Sequence, residues 1–312
     1  MRGGRRAVAG GELGEPAAVT PEVRDRLVAR FGAGALAWCD ELPSLVGGLA
    51  DRWRLDPVEA GGGGTSRVFR CLRRDTGAPV RLKLTPEPAV AREEAEALRA
   101  WAGTPSVVAL LAYEPRAGAL LLEDVAPGVP VRGASSRLPE VAALLRDLRA
   151  ASPAPGELPA VRPLSHRVGF LFDLAGRRLA AAGTGHPVGP AVLGRSRAAA
   201  LELAADGPVG LVHGDLHPAN VLSGPGARLV AIDPRPAWGD PDFDAVDWVL
   251  GGATGPAVLE ERIGELASLV PGQSPDRVRG WCRALAVLSA LPAIRARRDD
   301  AETRFLLSLA GG

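Results

Sequence analysis

The spacing of apolar residues changes character once along this chain, and that change restricts the folds open to it. Between Trp53 and Glu123 the apolar residues come in short runs spaced for strands. Val80-Arg-Leu-Lys-Leu84 alternates strictly, which puts Val80, Leu82 and Leu84 on one face and Arg81 and Lys83 on the other. Arg54–Glu59, Arg67–Arg73, Val107–Tyr113 and Ala119–Leu122 read as further strands, with turns at Asp75-Thr-Gly77 and Pro115–Gly118. One helix, about Pro88 to Trp101 and stopped by Gly103, interrupts them. From Val125-Ala-Pro-Gly128 onward the period is helical. Pro139–Ala151 carries Val141, Leu144, Leu145 and Leu148 on one face, and helices follow near 165–182, 189–205 and through 255–310. Short strands at Gly210–Val212, Val221–Leu222 and Arg228–Ile232 are set among them. This order predicts an α+β protein with a small β-rich N-terminal lobe and a larger, mainly helical C-terminal lobe.

Ahead of the strands, Thr20-Pro-Glu22 is a helix start, with Thr20 as the cap and Pro21 at the first helical position. That helix runs to about Phe31, and a second stretch, Leu36–Leu49, is expected to break near Pro43. Residues 1–19 are rich in Gly and Arg without periodicity and read as a disordered leader. The expected organisation is therefore a leader over 1–19, an N-terminal lobe over 20–124 and a C-terminal lobe over 125–312.

With 312 residues there is enough chain for two packed lobes. A net charge of +1 argues against nucleic acid as a partner. No apolar run reaches the roughly 18 residues of a membrane span, and none follows the basic start to make a secretory signal. Cys39, Cys71 and Cys282 lie far apart without metal-ligand spacing. The chain reads as soluble and cytoplasmic, with no protein partner implied.

The richest segment is His213-Gly-Asp215-Leu-His217-Pro-Ala-Asn220, followed by Leu229-Val-Ala-Ile-Asp233. Phosphoryl transfer from ATP needs a carboxylate to orient the attacking hydroxyl and take its proton, together with oxygen ligands for Mg2+. Asp215 leaves a strand into a loop, where it can act as that base. Asn220 and Asp233 sit at the ends of the next turn and strand and can offer oxygens to one metal. An isolated Asp215 would be read as a turn residue and an isolated Asn220 as a loop cap; it is the common frame that points to chemistry. His213 is assigned a bracing role, and neither it nor His217 is expected to ligate metal.

This stretch resembles the catalytic loop of the aminoglycoside phosphotransferases, within which the streptomycin 6-kinase and hydroxyurea phosphotransferase group is most similar. The likeness extends over roughly residues 30–290 through Asp51-Arg-Trp53, Gly63-Gly-Thr-Ser66, Leu82-Lys-Leu84, Ala97-Leu-Arg-Ala-Trp101, Ala119-Leu-Leu-Leu-Glu123, Ala231-Ile-Asp-Pro234 and Gly239-Asp-Pro-Asp-Phe-Asp244. It implies a bilobal protein-kinase-like fold with Asp215 as base and Asn220 and Asp233 on the metal. It also gives Lys83, the chain's one lysine, the nucleotide's α- and β-phosphates. A compact ammonium retained in so arginine-rich a chain fits a place where the planar guanidinium would not serve. The partner expected for Lys83 is a glutamate of the following helix. Glu93, Glu94 and Glu96 compete; Glu94 shares a face with Leu98 and Trp101, and the family's Arg-Glu-x-x-x-Leu frame also selects it. Glu93 and Glu96 are then solvated charges. Gly63, Gly64, Thr65 and Ser66 would cover the phosphates, and the backbones of Glu123 and Val125 would contact adenine.

Asp240 and Asp244 resemble residues that brace the catalytic loop. Asp242 stands where the family favours a small residue, and Asp247 faces either core or substrate. Only six residues separate Asp233 from Asp240, too few for an activation segment, and Pro234 follows the aspartate; a peptide substrate is therefore not expected. The expected acceptor is a cationic aminoglycoside, streptomycin first, held by acids drawn from Asp173, Asp242, Asp247 and Glu265. Hydroxyurea or another hydroxyl metabolite is the alternative acceptor, and a nucleotide-binding pseudokinase scaffold is the non-enzymatic one.

Overall fold

The computed structural model describes residues 19–61, 66–131, 137–182 and 187–311. The expected leader (but for Val19) and the glycine loop residues Gly63, Gly64 and Thr65 lie outside them. The chain divides into two compact units, one of residues up to Ala91 plus Leu110–Asp124, the other of Arg92–Ala109 plus Val125 onward.

In the first unit, helices α1 (Pro21–Phe31) and α2 (Ala35–Trp53) precede strands β1 (Leu55–Gly61), β2 (Arg67–Arg73) and β3 (Pro79–Leu84). Helix α3 (Pro88–Ala100) begins here and continues into the second unit; β4 (Leu110–Glu114) and β5 (Ala119–Glu123) then return. The sheet is antiparallel in the order β1-β2-β3-β5-β4. The alternation of β3 does what its period demands: Val80, Leu82 and Leu84 are buried against Leu42, Val46 and Leu49 of α2. Contrary to the expected break, α2 runs unbroken through Pro43. A mid-helix proline costs about 3 kcal/mol, whereas each of the buried side chains Leu42, Val46 and Leu49 gains roughly 1.5–3 kcal/mol by staying on the apolar face. On the sheet's opposite face, Arg70 and Arg81 both donate to Asp124, at 3.1 and 2.6 Å.

The second unit contains α4 (Leu138–Ala150), β6 (Arg162–Pro163), α5 (Leu164–Ala182), α6 (Pro190–Ala205), β7 (Gly210–Val212), β8 (Val221–Ser223), β9 (Leu229–Ala231), β10 (Ala237–Gly239), α7 (Val246–Leu250), α8 (Pro256–Leu269), α9 (Pro275–Arg295) and α10 (Ala301–Gly311). Strands β8 and β9 form a hairpin, while β10 lies between β6 and β7. Short strands β6 and β10 carry no alternation to read in the sequence. The expected strand Val107–Tyr113 is shorter at its start: Val107 bridges Ala231, the Ala231 N–H donates to Ser106 (2.8 Å), and the Val108 N–H donates to Ala231 (3.0 Å). Those bonds explain why Arg92–Ala109 groups with the second unit and not with the sheet expected to hold it. Helix α9 supplies the central support, burying Val278, Trp281, Cys282 and Leu285; Ser274 caps its start by accepting the Arg277 N–H.

Candidate active site

Strand β7 delivers the chain to His213, Gly214 and Asp215, and backbone chemistry holds this point. Gly214 has φ +75°, and a Cβ there would lie 2.1 Å from the Arg235 carbonyl oxygen, so only glycine fits. The Arg235 N–H in turn donates to the His213 carbonyl at 2.9 Å. From beneath, the buried Asp244 accepts the N–H groups of His213 (2.6 Å) and Gly214 (2.9 Å). Burial pushes the Asp244 carboxyl up to about 6 despite those two bonds. His213 is sealed in the core, stacked on Trp101 with centroids 6.3 Å apart. Its Nε2 lies 3.1 Å from the Ile232 carbonyl and its Nδ1 accepts the Asp215 N–H at 3.4 Å, a pairing that suits the neutral ring with its proton on Nε2. Burial lowers its pKa to about 4. The bracing role expected for His213 matches this geometry.

Asp215 is gripped from two sides. Arg167, on α5, donates to its Oδ1 at 2.7 Å and to the Gly214 carbonyl at 2.9 Å, with only 12% of the side chain exposed. Burial lowers the Arg167 pKa, with the Asp215 carboxylate working the other way. Asn220 donates its amide to the Asp215 carbonyl (3.0 Å) and to Oδ2 (3.1 Å), and the Ile232 N–H donates to the Asn220 carbonyl at 2.9 Å. With the Asn220 nitrogen so engaged, its amide oxygen points away from Asp215. Asp233 follows in left-handed backbone (φ +54°), its side chain part exposed and 3.3 Å from the Arg235 guanidinium. An outward amide oxygen and an accessible carboxylate are hard donors that fit Mg2+. Among the described residues no group of three His, Cys, Asp or Glu converges as a metal cage, so a cation here would share its shell with phosphate and water.

Asp215 also opens onto a cavity of about 680 Å³. Leu171 and Leu174 of α5, Leu250 of α7, Leu285, Leu288 and Leu291 of α9, and Leu306 of α10 form its apolar wall. Asp247, Glu302, Arg178 and His217 supply charge or polarity. Asp247 is exposed into this space; enclosure by the surrounding walls raises its pKa, opposed by His217 and reinforced by Asp215. Glu302 accepts the Gly252 N–H at 2.7 Å, fixing α10 to the end of α7. Of the acids expected to hold a cationic acceptor, only Asp247 lines the cavity. Asp173 pairs with Arg197 and Glu265 is exposed elsewhere. Asp242 is buried, accepting from Arg149 (2.8 Å) and the Ser274 N–H (3.0 Å), which explains how this chain accommodates a carboxylate where a small residue was expected. Asp240 accepts from Arg277 (2.6 Å) and Trp281 (2.7 Å) and so anchors α9; of the two aspartates expected to brace the loop, Asp244 is the one bonded to it.

The remaining expected residues are distributed over both units. Lys83, 4% exposed, lies in β3 between Val68 of β2 and Leu120 of β5. Ser66 is buried at the start of β2, and Glu123 ends β5. In the second unit Glu94 of α3 is 1% exposed, and its charge acts on Arg235. Val125 sits at the head of the turn to Gly128, whose N–H donates to Ser223 at 3.0 Å. Glu93 and Glu96 are not merely solvated: Glu93 faces Arg162 at 3.6 Å, and Glu96 takes the Ala160 N–H at 2.8 Å and Arg92 at 3.1 Å. Arg167, Arg235 and Glu302 escaped the sequence reading. Arg235, two residues past Asp233, was the one with a positional signal.

A family model described as aminoglycoside/hydroxyurea antibiotic resistance kinase matches residues 52–299. A streptomycin 6-kinase of Streptomyces glaucescens is 32% identical over 275 residues, spanning 84% of this chain and 86% of the relative. A hydroxyurea phosphotransferase of Kitasatospora aureofaciens is 33% identical over 307 residues, spanning 90% and 83%. Among solved structures, the choline kinase LicA of Streptococcus pneumoniae has TM-score 0.59 at 14% identity, covering 86% of this chain and 96% of that one, a likeness of fold alone. The fold is thus the kinase-like one that the catalytic frame implied, and the chain belongs to the aminoglycoside/hydroxyurea antibiotic resistance kinase family.

Proposed function

We propose that this protein transfers the γ-phosphoryl group of ATP to a hydroxyl of a cationic aminoglycoside, with streptomycin as the leading acceptor. The observation that carries this reading is the exposure of Asp215, already oriented by Arg167 and Asn220, at the edge of a leucine-walled cavity with acidic side chains. Asp215 acts as the base: it orients the acceptor hydroxyl and takes its proton as the oxygen attacks phosphorus. Asn220 and Asp233 would hold Mg2+, which when bound neutralises charge on the phosphates. Lys83, Glu94 and Ser66, with Gly63, Gly64 and Thr65 and the backbones of Glu123 and Val125, keep the nucleotide roles that the family resemblance implies.

Two properties of the cavity favour an aminoglycoside over hydroxyurea. Its volume lies within the few hundred to 1,000 Å³ usual for drug-sized ligands, and a molecule of a handful of atoms would leave most of it unfilled. With Asp215 matched by Arg167 and Asp244 engaged by backbone N–H groups, Asp247 and Glu302 still outnumber Arg178 in the lining, which suits a cationic guest. The leucines match the apolar faces of sugar rings. Incubation with ATP and a panel of streptomycin, other aminoglycosides, hydroxyurea and hydroxylated metabolites, read by the mass increase of the acceptor, tests the reading. Phosphorylated streptomycin is the expected product. Phosphorylated hydroxyurea alone would overturn the acceptor assignment, and ATP binding without transfer to any member would favour the scaffold alternative.

A further inference from the structure

We propose that Arg235 is a positioning residue, a built-in counter-cation for the metal-binding carboxylate Asp233, and that it makes divalent metal enter with the nucleotide instead of ahead of it. The inference rests on the reading of Asp233 as a metal ligand. Arg235 cannot drift from its place. Its N–H is bonded to the His213 carbonyl at 2.9 Å, and its own carbonyl packs where Gly214 leaves no room for a Cβ. Its guanidinium stands 3.3 Å from Asp233 Oδ1 with 12% of the side chain exposed. Glu94, Asp215 and Glu93 are the other carboxylates whose charge acts on it, and a guanidinium stays protonated throughout the physiological range.

Arg167 performs the corresponding service for Asp215 at 2.7 Å. The carboxylates that would draw in a bare divalent ion are therefore already matched by two buried guanidinium groups before any ligand arrives. Free Mg2+ would have to displace Arg235 from Asp233 and would meet two fixed positive charges. A metal–ATP chelate is net negative, so the same charges attract it, and the guanidinium released from Asp233 can turn to phosphate oxygen. One residue thus penalises the metal alone and favours it when chelated.

The test is Mn2+ binding to the full chain, followed by loss of the free Mn2+ EPR signal, without nucleotide and with a non-hydrolysable ATP analogue whose own chelation of Mn2+ is measured in protein-free samples and subtracted. The parent is expected to bind Mn2+ at least tenfold more weakly without the analogue than with it, within the usual 5- to 150-fold range of coupling between ligands. Arg235→Gln should tighten nucleotide-free Mn2+ binding by roughly tenfold and shrink that coupling, and Arg235→Lys should keep most of it. Nucleotide-free binding that is unchanged or weaker in Arg235→Gln would overturn the proposal, as would a parent that binds Mn2+ equally well in both states. Should Arg235→Gln fail to fold, Arg235→Met and Arg235→Lys decide on the same criterion, since a residue of merely structural importance would shift melting without shifting metal affinity. Asp233→Asn separates the two levels: undiminished Mn2+ binding with the analogue in that variant would remove the metal-ligand reading itself.

Discussion

Two parts of the second unit meet at Asp215 and are held in opposite ways. The loop from His213 to Asp233 is tied by polar bonds around Asp215: Asp244 on two N–H groups, His213 on Ile232, Arg167 and Asn220 on Asp215. The cavity wall of α5, α7, α9 and α10 is mainly leucine, with charges only at Arg178, Asp247 and Glu302. Polar bonds are directional and lose most of their value when misaligned, so the loop holds a reacting group to a fraction of an ångström. Apolar contacts are non-directional and tolerate exchange of similar volumes. On the proposed function, chemistry would fall to the part that cannot vary and acceptor choice to the part that can.

The contrast predicts where function breaks. Asp215→Asn should lower kcat by about 10²-fold or more while ATP affinity, measured by calorimetry, stays near that of the parent. An equal loss in both would place Asp215 in binding and not in catalysis. Arg167→Gln leaves Asp215 without its cation; because that carboxylate is itself part exposed, the cost stays below the roughly 3–5 kcal/mol of breaking a fully buried pair. It should reduce kcat by about tenfold and lower the unfolding midpoint in urea. Asp247→Asn, a wall change, should spare kcat and raise KM for a cationic acceptor by roughly fivefold, with little effect on a neutral one. If kcat falls instead, Asp247 belongs with the loop and the division of labour fails.

The last expected effect is one of pH, and it bears on stability and not on turnover. His213 in the fold takes its proton only near 4, whereas in the unfolded chain it does so near its ordinary value of 6.5. The unfolded state thus binds more protons between these values, and this residue's contribution to stability is lost as pH falls from 6.5 to 4. The loss amounts to about 3 kcal/mol at most. Asp244 acts in the opposite sense, since its folded pKa of about 6 exceeds the unfolded 3.8 and its proton uptake favours the fold as pH falls through that range. Urea titrations of the parent and His213→Gln across this window should show the difference in stability narrowing as pH falls. A constant difference would mean that His213 is not held neutral.

Much of the loop could be read from the chain because its parts are neighbours in sequence: Asp215, Asn220 and Asp233 span one strand–turn–strand unit. Strand β3 was equally open to reading, its alternation obeying a period that backbone geometry imposes. Helix α2 was not, because burial of its leucine face outweighs what Pro43 alone would do. Nor was the cavity. Asp247 and Glu302 come to it from α7 and α10, and of the acids considered beforehand, Asp173, Asp242 and Glu265 are used elsewhere. Arg167 reaches Asp215 from the first turn of a helix whose pattern marks only an apolar face.

By itself, then, the sequence determined what is local: the two periodicities, the frame of Asp215, Asn220 and Asp233, and the glycine that lets His213 and Arg235 cross. Tertiary structure decided which charges neutralise that frame and which side chains line the cavity beside it. The reason is physical. Spacing along a chain dictates which residues share a strand face or a turn, but a buried ion pair or a cavity wall forms only when distant elements pack, and many chain separations can bring the same two groups together.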